Sequence, residues 1–201
     1  NLQHGPKRMI VQGFRGVGKS WITVAFVLWL LFLDPQKKIL VVSASQPLAD
    51  DFSAFCKQII NGMPLLQHLA TRQGQKDSAI KFDVAPATDS KDPSVKSAGI
   101  TGQITGNRAD VIVADDVEIP KNSYTHLLRE RLSELVKEFD SILKPGEEPR
   151  VVFLGTPQVE QTLYNRLEQR GYKTFVWTAE VPAKPSIYHG RLASYIQRLI
   201  D

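Results

Sequence analysis

The sequence predicts an α/β fold with three layers, in which helices flank a mainly parallel central sheet. Segments with strand character alternate with helical segments at least four times along the 201 residues. Two continuous β-rich runs, residues 39–42 and 111–113, are typical of strands buried on both faces of such a sheet. A glycine-rich loop over residues 13–20 lies between a short apolar run and a long one, as in a strand–loop–helix unit.

The first half of the chain opens with this unit. The first strand is predicted over residues 7–12, and the helix after the loop ends near Leu33, because Asp34-Pro35 disfavours further helix. Periodicity and glycine placement then predict a strand over 38–45, a helix over 48–61, a short strand over 80–84 and a strand-loop over 97–108.

The second half continues the alternation. A strand over 109–114 is followed by one long helix that begins at a cap on Asn122 or Ser123 and reaches about Leu143. The later elements are a strand over 150–154, helix 161–170, strand 174–178 and a short amphipathic helix over 191–200. We expect one domain over residues 1–180, with 181–201 as the start of a linker or of a truncated C-terminal region.

Composition argues against a disordered or a fibrous protein. A hydrophobic content of 42% and a charged content of 23% are typical of a globular domain, and the net charge of +4 permits a polyanionic partner without requiring one. Cys56 is the only cysteine, so an intrachain disulfide is impossible, and the four histidines show no metal-ligand spacing. The apolar run 21–33 is too short to span a bilayer, so we expect no membrane association.

The loop over residues 13–20 (GFRGVGKS) fits the P-loop pattern G-x-x-x-x-G-K-[ST] and predicts a P-loop NTPase that uses ATP and Mg²⁺. Its backbone N–H groups would cradle the phosphates at the N-terminus of the following helix. Lys19 would reach the β- and γ-phosphates, and the Ser20 hydroxyl would bind Mg²⁺. The predicted nucleotide-binding residues are Gly13, Phe14, Arg15, Gly16, Val17, Gly18, Lys19 and Ser20.

A pair of acids after a buried strand is the second nucleotide signature. Four apolar residues precede Asp115-Asp116, and the carboxyl end of a strand is where open α/β sheets bind ligands. The Asp115 carboxylate would reach Mg²⁺ through water, and the next acid would orient the attacking water, which predicts hydrolysis and an NTPase of the ASCE type. Asp116 is adjacent and is favoured for this role, whereas Glu118 has the longer reach and stays an alternative.

Arg15 is not required by the P-loop pattern. Its guanidinium would stabilise charge on the γ-phosphate as an arginine finger in cis, or it would pair with a local acid. A finger supplied in trans would come from Arg108, Arg129 or Arg131, and the sequence does not rank these.

Three segments together carry a resemblance to a known family. Residues 13–20, 111–118 (VIVADDVE) and 151–158 (VVFLGTPQ) resemble the large terminase of tailed phages, closest to short-tailed podophages. The resemblance implies a motor ATPase that forms a ring, expected to be a pentamer, on the portal of the procapsid and drives double-stranded DNA inside. It also implies the small terminase subunit as a partner, the host cytoplasm as the location, and absence from the mature virion.

Further site residues are implied only by this resemblance. Thr156 would lie in the coupling motif that senses the γ-phosphate, and Gln3 would contact adenine. The family usually has Glu after the first acid, where this chain has Asp116. It also carries a nuclease domain, but the acids after Gln158 are too dispersed to form its metal site, so we expect no DNA cleavage.

Other functions remain open at this point. A helicase-type DNA translocase shares the acid motif and the Gly155-Thr156-Pro157 turn but normally needs a second motor lobe. A nucleotide or small-molecule kinase would share the P-loop but show no stimulation by DNA, and an ATP-gated DNA-binding or capsid-binding module would show little turnover. A GTPase is disfavoured because the N-K-x-D motif is absent.

Overall fold

The computed structural model describes residues 5–102, 104–146 and 149–177. Three predictions lie outside the described residues: the role of Gln3, the boundary after residue 180 and the helix over 191–200.

One seven-stranded sheet organises the part of the chain that the structure describes. Its strands are β1 (Arg8–Gly13), β2 (Ile39–Ser43), β3 (Lys81–Phe82), β4 (Val95–Gly99), β5 (Val111–Asp115), β6 (Arg150–Gly155) and β7 (Lys173–Trp177). Their order across the sheet is β3-β4-β2-β5-β6-β1-β7. Each neighbouring pair is parallel except β3 with β4, which is antiparallel. The predicted α/β architecture with a mainly parallel sheet is therefore confirmed.

Helices cover both faces of this sheet. They are α1 (Lys19–Leu33), α2 (Gln46–Gly62), α3 (Pro120–Ser123), α4 (His126–Leu135), α5 (Phe139–Ile142) and α6 (Leu163–Gln169), with 3₁₀ turns at Pro64–Leu69 and Val136–Glu138. Side chains of α1 and α2 pack in one buried cluster, and those of α4, α5 and α6 pack in a second. Alternate residues of β1 divide between them, since Met9 and Val11 join the first cluster and Ile10 joins the second.

The single long helix predicted over residues 122–143 is wrong. The chain instead forms α3, α4, a 3₁₀ turn and α5. Asn122 does not cap a long helix, because its Oδ1 accepts a hydrogen bond from the Ile119 amide (2.9 Å) and closes the preceding turn. Thr125 has an extended backbone and caps α4, its hydroxyl accepting from the Leu128 amide at 3.3 Å. This local side-chain capping competes with a continuous helix and breaks it.

The strand-loop predicted over residues 97–108 is present, although its strand begins earlier than predicted. The strand is Val95–Gly99, and the loop after it contains a turn with Gly106 at a φ of 82°. Gly99 lies against the start of α2, where an added Cβ would be 2.6 Å from the Gln46 amide nitrogen. The glycine therefore permits the close approach of strand and helix. Among the described residues, no helix is long and apolar enough to cross a membrane.

Candidate active site

A cavity of about 620 Å³ opens at the carboxyl edge of the sheet. Its walls come from the loop after β1, the first turn of α1, and the residues that follow β5 and β6. These strands are neighbours in the sheet, so their C-terminal residues converge although they are far apart in the chain. A volume in this range suits a small-molecule ligand. Of the predicted site residues, Arg15, Gly16, Gly18, Lys19, Ser20, Asp115, Asp116, Glu118 and Thr156 line it.

The loop between β1 and α1 is shaped by its glycines. Gly16 and Gly18 have φ angles of 87° and 84°, in the left-handed region that a side chain disfavours. Gly13 ends β1, and a Cβ there would lie 3.2 Å from Cγ1 of Val17. The loop therefore turns tightly enough for α1 to begin at Lys19, with its N-terminus at the cavity.

The Lys19 side chain hydrogen-bonds to the ends of two neighbouring strands, β1 and β6. Its side chain is buried, with the residue 6% exposed, and Nζ donates hydrogen bonds to the carbonyls of Gly13 (3.3 Å) and Phe14 (3.1 Å) and to Thr156 Oγ1 (2.9 Å). The Thr156 hydroxyl in turn donates to the Gly13 carbonyl at 2.8 Å. Lys19 thus contacts the segment after β6 directly, 137 residues further along the chain.

Asp115 ends β5 opposite the first turns of α1. Its Oδ1 accepts from the Thr23 hydroxyl at 3.3 Å, and the Ser20 hydroxyl also hydrogen-bonds to this carboxylate. Burial, and then the neighbouring Asp116 charge, raise the pKa of Asp115 to about 6. The hydroxyls and Lys19 favour the ionised form but offset only part of this shift. A buried carboxylate that lines a cavity and has a raised pKa is a candidate functional residue.

Asp116 has φ 44°, the single non-glycine residue with positive φ in the described part of the chain. Its amide donates to the Leu154 carbonyl at 2.8 Å, which ties this strained residue to the adjacent β6. Burial raises the pKa of Asp116, while Lys19, a hydrogen bond from the Thr156 backbone and Arg15 act in the opposite direction. Lys19 and Arg15, which line the same cavity, therefore both favour the ionised form of this carboxylate.

Glu118 is buried and its oxygens are occupied by the segment after β6. Oε1 accepts from the Gln158 amide (3.0 Å), Oε2 accepts from the Leu163 amide (2.5 Å), and the Thr162 hydroxyl contacts both oxygens at 2.8 and 2.7 Å. The residue is 1% exposed. This carboxylate braces the start of α6 against the end of β5.

The arginines occupy different environments. Arg15 Nη2 donates to Gln158 Oε1 at 3.1 Å, and its charge also acts on Asp116. Arg108 donates to the Ser141 carbonyl, and Arg129 donates to the carbonyls of Ser123 (2.9 Å) and Tyr124 (3.2 Å). Arg131 is exposed and lines a separate cavity of about 260 Å³.

Several residues in and below the site were not predicted. Thr23 holds Asp115, and its position three residues after Ser20 on the same face of α1 was the available signal. Ser43 lines the cavity because β2 and β5 pair in register, Ser43 beside Asp115. Gln158 binds Arg15, and Tyr164 lies buried beneath the site, where no local sequence pattern marks it.

Comparison with solved structures identifies the class of fold. The chain is similar to the Phi-28 gp11 DNA packaging motor (TM-score 0.56, 12% identity, covering 98% of this chain and 63% of that one). It is also similar to the large terminase of a thermophilic bacteriophage (TM-score 0.51, 12% identity, covering 94% of this chain and 47% of that one). The fold is therefore that of the α/β domains found in phage DNA-packaging proteins.

Sequence comparison is more specific. The chain is 55% identical over 195 residues to the large terminase subunit of Enterobacteria phage T3, which covers 95% of this chain and 33% of that protein. It is thus a relative of the phage large terminase subunit and spans about a third of its length, and the resemblance inferred from the motifs is confirmed. No protein-family model matches the chain.

Proposed function

We propose that this chain is the ATPase part of a phage DNA-packaging motor, in which hydrolysis of ATP drives double-stranded DNA into a procapsid. The observation that carries the proposal is the convergence of Lys19, Asp115, Asp116 and Thr156 in one cavity at the carboxyl edge of the sheet. The relationship to the T3 large terminase supports a role in packaging, and the cavity supports the chemistry.

Nucleotide binding would use the loop after β1. Two left-handed glycines and the N-terminus of α1 present N–H groups and a partial positive charge to an anion. Lys19 Nζ now bonds two loop carbonyls and Thr156, so in the bound state it would exchange those contacts for phosphate oxygens. The position of β6 between β1 and β5 supports assignment to the ASCE type.

The chemistry of the oxygen donors near α1 fits Mg²⁺, which prefers hydroxyl, carboxylate and water oxygens. Ser20 and Asp115 would hold the ion, with Thr23 orienting the carboxylate. When bound, Mg²⁺ supplies positive charge that neutralises the phosphates. It would also relieve the cost of the buried Asp115 carboxylate, which nearby protein groups compensate only in part.

Water activation is assigned to Asp116 rather than Glu118. Every Glu118 oxygen is hydrogen-bonded to the segment 158–163, so that carboxylate would have to break a buried network to reach water. Asp116 lines the cavity and has a positive φ of 44°. Its carboxylate would accept the proton or orient the water that attacks the γ-phosphorus.

Coupling would pass through Thr156 and Gln158. Thr156 touches Lys19, and Gln158 touches both Arg15 and Glu118, so a change at the γ-phosphate reaches the start of α6 through direct contacts. Arg15 fits a finger acting in cis, since its charge already acts on Asp116. Because the chain is related to the T3 large terminase, we extend the proposal to its partners and location. The motor would form a pentameric ring on the portal, bind the small terminase subunit and act in the host cytoplasm.

ATP turnover with and without double-stranded DNA and procapsids tests this function. We expect hydrolysis that rises with both and is abolished in Lys19→Ala. A rate that rises with DNA alone and requires no procapsid would favour a helicase-type translocase, and binding without turnover would favour a gated module. A rate that neither DNA nor procapsids change would contradict the motor.

A further inference from the structure

Tyr164 presents a buried hydroxyl beneath the candidate active site. The residue lies in the first turn of α6, is 0% exposed and packs in the cluster that contains Phe153 and Leu167. Its hydroxyl oxygen has no hydrogen-bond partner among the described residues. A buried tyrosine hydroxyl normally finds a partner, and an orphan one requires an explanation.

The hydroxyl reaches the site because Gly155 has no side chain. A Cβ on Gly155 would lie 1.7 Å from the Tyr164 oxygen and 2.7 Å from its Cζ, so the phenol occupies the space that any other residue would fill. Oδ1 of Asp116 lies 3.4 Å from the same point. The phenol oxygen and the carboxylate therefore converge above the last residue of β6.

The charges of Glu118, Asp116 and Asp115 all act on this hydroxyl, and Asp116 is the carboxylate suited to accept a hydrogen bond from it. Glu118 is saturated by Gln158, Thr162 and Leu163, and Asp115 accepts from Thr23 and Ser20. Asp116 accepts from the Thr156 backbone, which leaves further lone pairs on its two oxygens.

We propose that Tyr164 is a positioning residue for hydrolysis, whose hydroxyl donates to the Asp116 carboxylate in the state that activates the attacking water. This inference rests on the proposed function and adds a residue to it. The hydroxyl fixes the rotation of the Asp116 carboxylate from below while the other face stays toward the cavity. The bond forms as the reaction proceeds, so it contributes to turnover and not to binding of the nucleotide.

Tyr164→Phe removes this one oxygen and keeps the ring. We expect kcat for ATP to fall on the order of 10- to 100-fold, the equivalent of one hydrogen bond to a charged group, with KM unchanged. The Tm should stay the same or rise, because the removed hydroxyl has no partner in the ground state.

Tyr172→Phe is the matched control. Tyr172 packs in the same core cluster, but its hydroxyl accepts from Arg8 Nη1 at 3.2 Å, at the opposite end of β7 from the cavity. Its kcat should equal that of the wild type. An unchanged kcat in Tyr164→Phe, or a loss of kcat that accompanies a lower Tm or a changed KM, overturns the positioning role alone. Absence of hydrolysis by the wild-type chain overturns both this inference and the proposed function.

Discussion

Replacing Asp115 by asparagine should stabilise the metal-free protein while abolishing turnover. Burial and the Asp116 charge raise the pKa of Asp115 from 3.8 to about 6, so above that pH the fold carries an ionised carboxylate that it disfavours. Asparagine has nearly the same shape and keeps an oxygen that can accept from Thr23.

The magnitude follows from the size of the pKa shift. A shift of about two units corresponds to roughly 3 kcal/mol, because each unit is worth about 1.36 kcal/mol. The charge of Asp116 causes part of this pKa shift, so we expect Asp115→Asn to gain slightly less, about 2–3 kcal/mol of unfolding free energy at pH 7.5. For a domain of this size, that gain raises Tm by roughly 4–12 °C.

The pH dependence has a definite sign. An acid whose pKa is raised by folding costs nothing below its unfolded pKa, and the cost grows as pH rises to the folded pKa. The advantage of Asp115→Asn should therefore be near zero at pH 4, grow up to about pH 6 and stay level above it.

Urea unfolding in EDTA at several pH values measures this difference. Asp51→Asn, at an exposed position on α2, is the matched control and should change stability by less than about 0.5 kcal/mol. If Asp115→Asn is no more stable than the wild type at pH 7.5, or if its advantage is the same at pH 4, the electrostatic account of this site is wrong.

Three further variants test separate parts of the structure. Gly155→Ala should lower the free energy of unfolding by about 2–4 kcal/mol, because the new Cβ overlaps the Tyr164 hydroxyl. Adding Tyr164→Phe should restore part of this loss, because the nearest ring atom is then Cζ, at 2.7 Å from the Cβ instead of the hydroxyl oxygen at 1.7 Å. Additive effects of the two substitutions in denaturant unfolding would contradict this overlap. Glu118→Ala should lower the free energy of unfolding by about 2–4 kcal/mol, because it leaves buried donors on Gln158, Thr162 and Leu163 unpaired. An unchanged urea midpoint would contradict this structural role of Glu118. Arg15→Ala should lower kcat by about 10³-fold or more if the finger acts in cis, with specific activity of the wild type independent of protein concentration; activity that rises steeply with concentration would favour a finger in trans.

The sequence predicted the parts of this molecule that depend on contiguous residues. The glycine-rich loop, the acids after β5 and the alternation of strands and helices are local patterns, and the structure brings residues 15, 16, 18–20, 115, 116 and 156 to one cavity. The cap at Thr125 is also a local signal, but Asn122 and Ser123 are equally suitable cap residues by type. The apolar stripe from Leu128 to Ile142 then favours one uninterrupted helix after the cap.

The remaining features depend on packing between distant segments. The contact of Lys19 with Thr156 requires β1 and β6 to be neighbours in the sheet. The buried hydrogen bonds that separate the role of Glu118 from that of Asp116 come from residues around the start of α6, 40 to 45 residues later in the chain. Tyr164 lies under the site because Gly155 leaves room for it, a relation that no spacing rule contains.

Activation of water by Asp116 is central to the proposed mechanism, and one measurement tests it most directly: binding and turnover of radiolabelled ATP by Asp116→Asn beside Glu118→Gln. We predict that Asp116→Asn binds ATP as the wild type does and fails to hydrolyse it, whereas folded Glu118→Gln retains turnover. Retained hydrolysis in Asp116→Asn, with loss in a folded Glu118→Gln, would contradict this assignment and transfer the catalytic role to Glu118.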